Sequence, residues 1–177
     1  IEDKLVAFLI SSIDPDIVLE NFTRVIRNAL FPKIWFEELS DYKFFQLFLS
    51  LCERSQKSID LFAEDKVLRD KFLSRESLIP LSGINLPNLS LKDFHFRASI
   101  QLTAGIIKSE SFAGLYAEYL NHRISYIAKE FVNDKKWRNN FFIAAMGSYG
   151  SSELSFASDI DLVFVVQEIQ KYSSIQN

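Results

Sequence analysis

Apolar residues recur at three- and four-residue steps through most of the chain, the spacing that places them on one stripe of an α-helix. Asp14-Pro15 reads as an N-cap followed by proline at the first helical position. Ile17, Val18, Phe22, Val25, Ile26 and Ala29 then keep helical spacing, which predicts a helix over residues 15–30. Ser40 is expected to cap a second long helix carrying Phe44, Phe45, Phe48, Leu51 and Cys52, and shorter helical patterns follow near residues 59–62 and 67–73. Ser90-Leu91-Lys92-Asp93 is a near capping box, with Asp in place of Glu or Gln, and predicts a helix reaching about residue 108. Ser109 opens another, whose apolar positions from Phe112 to Phe131 extend it to about residue 133.

Two segments break this texture. Residues 77–91 carry no charge, and Pro80, Gly83 and Pro87 interrupt any period, so they read as a partly buried linker. After Lys135-Lys136, the run Phe141, Phe142, Ile143, Ala144, Ala145, Met146 is short, apolar and closed by Gly147, as in a buried strand. The β-branched run 160–166 reads as a second strand. The expected class is therefore mainly α with a small α/β part: a helical region over 1–135, then a strand–turn–helix–strand unit over 136–177.

Composition narrows the picture further. The chain has 177 residues, 48% hydrophobic and 24% charged, which excludes intrinsic disorder. Its formal net charge of −3 supplies no basic field for nucleic acid or anionic lipid, so neither nucleic acid nor membrane is an expected partner. Five glycines and four prolines are too few to punctuate a β-sandwich or barrel. The single Cys52 can form neither an internal disulfide nor a thiolate metal site with a second cysteine, and reads as a buried small hydrophobe. No secretory signal pattern opens the chain and no run is long enough to span a bilayer, so a cytoplasmic location is expected. The opening Ile1 and closing Asn177 suggest a piece of a longer polypeptide.

Candidate chemistry concentrates after residue 146. Gly147 and Gly150 sit where a strand passes into a helix; there the backbone can approach a ligand, and N–H groups with the Ser148 hydroxyl can hold phosphate oxygens. In Asp159-Ile160-Asp161, alternation along a strand sends both carboxylates to one face, about 6.5–7 Å apart, a spacing suited to a divalent cation such as Mg²⁺. Either feature alone is common; one short helix apart on adjacent strands, they bring metal and phosphate to one edge. His95 and His122 lie on different predicted helices without a ligand pattern, and Lys135, Lys136 and Arg138 suit the C-terminal dipole of the preceding helix.

The segment from Ala145 to Leu162, Ala-Met-Gly-Ser-Tyr-Gly-Ser-Ser-Glu-Leu-Ser-Phe-Ala-Ser-Asp-Ile-Asp-Leu, resembles the nucleotidyltransferase motif of the DNA polymerase β superfamily. In particular it looks like the glutamine synthetase adenylyltransferases (glutamate–ammonia ligase adenylyltransferases), whose motif reads Met-Gly-x-x-Gly-x-x-Glu-Leu, an aromatic-containing spacer, then Ser-Asp-Ile-Asp-Leu. The stretch from Leu91 to Gly105 is similar to the helix that family places before its catalytic strand, and residues 42–77 are similar in kind. The resemblance implies transfer of AMP from ATP to a protein hydroxyl, or the reverse phosphorolysis, by a two-metal mechanism, with glutamine synthetase as a candidate acceptor. It assigns Asp159 and Asp161 as catalytic metal ligands, Gly147 and Ser148 as the nucleotide-binding turn, and Mg²⁺ as cofactor; Glu153 is expected to tie the short helix to the turn.

Two departures qualify it. Ser148 and Ser151 stand where those adenylyltransferases carry a lysine and often a second basic residue, and no Lys or Arg occurs between Arg138 and Lys171. Tyr149-Gly150 followed by Glu153-Leu154 also resembles the signal-protein uridylyltransferases, and a non-catalytic nucleotide-sensing or protein-interaction module is the alternative from another class. The superfamily uses a third carboxylate from a later strand. Glu168 is seven positions beyond Asp161, on the opposite face of a continuing strand, so residues 1–177 alone are expected to be inactive.

Overall fold

The computed structural model describes residues 1–131 and 141–166, and Lys135, Lys136, Arg138 and Glu168 lie outside the described residues. Within them the protein is mainly helical, with one small antiparallel sheet. The described residues form two compact units, one from residues 1–85 and 89–108, the other from residues 86–88, 109–131 and 141–166.

The first unit is built from α1 (Glu2–Ser11), α2 (Pro15–Arg27), α3 (Pro32–Glu38), α4 (Tyr42–Arg54), α5 (Gln56–Glu64), α6 (Lys66–Leu73) and α7 (Leu91–Thr103). The apolar stripes of α2, α4, α5 and α6 converge on an aromatic core. Phe62 lies 4.9 Å from Phe72 and 5.0 Å from Phe96 in edge-on contacts, and Phe44 stacks on Phe72 at 4.5 Å. Such pairs add directional preference to area burial, so the core fixes helix rotation as well as excluding water. Two buried polar side chains of this unit are paired: Asn21 donates to the Cys52 carbonyl at 2.9 Å, and Arg97, 3% exposed, donates to Asp93 at 3.0 Å and to the Glu76 carbonyl at 2.7 Å.

Several element boundaries differ from expectation, among them the end of α2 at Arg27 rather than residue 30. The cap of α4 is Asp41, which accepts from the N–H groups of Lys43 and Phe44, while the Ser40 hydroxyl turns back to the Glu37 carbonyl at 2.6 Å. Helix α7 begins at the Ser90 cap as read, with Ser90 Oγ accepting from Asp93 N–H at 3.1 Å, but stops at Thr103. Gly105 adopts φ +71°, and Ile106 N–H closes onto the Gln101 carbonyl at 2.8 Å, a left-handed glycine terminus that halts the helix five residues early. Residues 76–88 contain three single 3₁₀ turns; Gln101 holds the first part by donating to the Ser77 and Ile79 carbonyls and accepting from Leu81 N–H.

The second unit contains α8 (Ser109–Phe131), β1 (Phe141–Ala145), α9 (Gly147–Gly150) and β2 (Leu162–Val166). The strands pair antiparallel, Phe141 opposite Val166 and Ala145 opposite Leu162, so the chain leaves β1 through α9 and returns to the same end of the sheet. Phe142, Val163, Phe164 and Val165 remain exposed.

Candidate nucleotide and metal site

The end of β1 is tied to the start of β2 one residue beyond the ladder, by Met146 N–H donating to the Asp161 carbonyl at 3.0 Å. This bond brings the Asp161 side chain to the turn that follows Met146. Gly147 adopts φ +53°, and a Cβ there would stand 2.7 Å from Asp161 Oδ2. Only glycine leaves room for the carboxylate at that distance and accepts that backbone conformation without strain. The structure therefore brings Gly147 and Asp161 together, on the two connections that the sheet register makes adjacent.

Strand β2 begins at Leu162, so Asp159-Ile160-Asp161 forms the approach to the strand rather than its first residues. The entry starts later because the 155–158 segment is still a turn, in which the Ser158 hydroxyl accepts from Ser155 N–H at 2.8 Å and Ser158 N–H donates to the Ser155 carbonyl. Asp159 and Asp161 are both exposed, and neither carboxylate forms an ion pair or hydrogen bond among the described residues. The Ser148 hydroxyl is likewise unengaged among the described residues, while its carbonyl accepts from Glu153 N–H at 2.8 Å. The Glu153 carboxylate accepts from the Ser151 hydroxyl at 3.0 Å, inside its own turn.

What fixes this turn to the rest of the unit is Tyr149, which the sequence reading did not single out. It is 4% exposed, and its hydroxyl donates to Asn121 Oδ1 on α8 at 2.7 Å. Burial pushes its phenol pKa up, keeping the hydroxyl protonated as a donor. Gly150 completes the fit: a Cβ there would lie 2.6 Å from the Ala145 carbonyl oxygen, so α9 closes against the end of β1 only with glycine. The spacer after α9 is pinned through buried Leu154 and through Phe156, whose ring lies 4.4 Å from Phe112 near the start of α8. The aromatic character of residues 149 and 156 is the signal that could have found these anchors, since a solvated loop has no use for buried rings.

Residues 111–177 match the family described as glutamate-ammonia ligase adenylyltransferase. The matched stretch opens within α8 and carries the turn and both aspartates, so it coincides with an adenylyltransferase-like nucleotidyltransferase segment; it does not reach residues 42–77 or 91–105. No curated protein and no solved structure matches the chain.

Whether the residues fit a metal is a question of donor chemistry. Among the described residues no three His, Cys, Asp or Glu side chains gather into a metal cluster. The exposed carboxylates of Asp159 and Asp161, the latter beside the Gly147 backbone, are nevertheless the donor type that a hard cation takes, completed by substrate oxygens and water. No helix among the described residues is long and apolar enough to cross a membrane.

Proposed function

We propose that the protein transfers AMP from ATP to a protein hydroxyl, or carries out the reverse phosphorolysis, with glutamate-ammonia ligase as the acceptor. The observation that supports this reading is the approach of the Asp161 carboxylate to the Gly147 backbone, inside the segment that matches the adenylyltransferase family. In this reading Asp159 and Asp161 hold Mg²⁺, which supplies charge neutralisation at the triphosphate and lowers the pKa of the attacking hydroxyl.

The chain's own residues do the rest. Gly147 keeps Cβ bulk away, so that backbone N–H groups and the Ser148 hydroxyl donate to phosphate oxygens at the turn. Glu153 stays out of the chemistry, because its carboxylate is used by Ser151. With no Lys or Arg between Arg138 and Lys171, phosphate charge is met by the metal and by N–H dipoles rather than by side-chain cations. A cytoplasmic location accompanies this activity.

The reading is tested with the full-length protein, ATP labelled at the α-phosphate, Mg²⁺ and glutamate-ammonia ligase. Label retained on the acceptor is expected. Label transferred only from UTP would reassign the donor to the uridylyl class, and nucleotide binding without transfer to any acceptor would favour the sensing module.

A further inference from the structure

The geometry points to the Tyr149–Asn121 hydrogen bond as the contact that positions the Gly147–Gly150 turn against Asp161, which makes Tyr149 a positioning residue; this rests on the function proposed above. A four-residue helix is far below the length at which a helix holds itself together in water, so the orientation of α9 has to come from outside it. Of the two α9 side chains, Ser148 and Tyr149, only that of Tyr149 is buried, and its hydroxyl reaches α8 at 2.7 Å.

The ring is packed on one side and borders a groove on another. A cavity of about 300 Å³ opens beside it, lined by Asn121, Ile124, Ser125, Ala145 and Leu162 together with Tyr149. On the side of that groove the ring has fewer packing partners among the described residues, so the directional bond to Asn121 carries more of its orientation. Two residues upstream, the gap between Gly147 and the Asp161 carboxylate is too small for a methyl group, so even a slight rotation of α9 changes how the carboxylate and the turn meet. Interactions that hold a binding edge in its productive geometry act through affinity for the ligand.

The test measures binding of Mg²⁺·ATP, and of ATP with a chelator present, to the full-length protein and its variants. Tyr149→Phe keeps the ring and removes the bond; Asn121→Ala removes the acceptor; Asn121→Asp keeps an acceptor oxygen. The first two should each weaken Mg²⁺·ATP binding by roughly three- to tenfold, the worth of one hydrogen bond. Metal-free ATP binding should weaken less, because it uses the turn but not the Asp161 carboxylate. The Tyr149→Phe/Asn121→Ala double variant should bind no more weakly than either single, and Asn121→Asp should bind as wild type.

Single variants within 1.5-fold of wild type, effects that add in the double variant, or a Tyr149→Phe protein that fails to fold would overturn the positioning role. Asp161→Asn separates the two levels. If wild type shows no Mg²⁺-dependent binding, or Asp161→Asn binds like wild type, the proposed function itself fails and the positioning role falls with it.

Discussion

Gly147 and Gly150 are three residues apart, yet substitution at each should act differently. At Gly147 the atom in the way is the far end of the Asp161 side chain, which can turn aside; what remains is the cost of a positive φ, about 1–2 kcal/mol. At Gly150 the obstacle is the Ala145 carbonyl, part of the strand itself, so a methyl group forces backbone movement worth about 1–3 kcal/mol. Gly147→Ala is therefore expected to displace the carboxylate and lower nucleotidyl transfer by more than tenfold with a small fall in melting temperature. Gly150→Ala should lower the melting temperature of the second unit more. Paired melts and transfer assays check this order, and equal losses of transfer at equal melting temperatures would contradict it.

At the scale of elements, capping chemistry separates what was legible from what was not. Asp14 with Pro15 and Ser90 with its downstream N–H announced α2 and α7 correctly, because a cap is a local bond between near neighbours. Helices α1 and α3 carried no such signal. Neither has a side-chain cap bond, α1 buries no residue fully, and α3 has seven residues and buries Trp35 alone. Adjacent candidates also defeated the reading at α4, where Asp41 caps and Ser40 does not. Asp41→Ala should cost about 1 kcal/mol of stability in urea unfolding, against less than about 0.5 for Ser40→Ala. A larger effect at Ser40 would reverse that assignment. The motif residues of the candidate site could be singled out because glycine and aspartate spacing survives in one dimension. Tyr149 and Asn121 were not, since 28 positions separate them and only the fold brings them together.

For the molecule as a whole, acid should weaken the helical unit in two stages. His95 is held down to about 4 from 6.5, first by burial and then by the charge of Lys57. Its folded pKa lies below its unfolded one, so the unfolded chain takes up the proton first. That contribution is complete above about pH 6.5 and is lost as pH falls towards 4. Asp60 and Asp65, held below the carboxylate range mainly by hydrogen bonds from Arg24 and Lys92, lose their share at still lower pH. Melting temperature should therefore decline between pH 6.5 and 4, and His95→Gln should flatten that limb while leaving the lower one; an unchanged slope would contradict it. The second unit carries the candidate chemistry, the proposed metal and phosphate edge of Asp159, Asp161 and the Gly147 turn. Mg²⁺-dependent AMP transfer by full-length Asp161→Asn tests it most directly, with circular dichroism on the same sample. A loss of at least about a hundredfold with unchanged helicity is predicted, because removing a metal ligand forfeits several kcal/mol of transition-state stabilisation; transfer within twofold of wild type would contradict it.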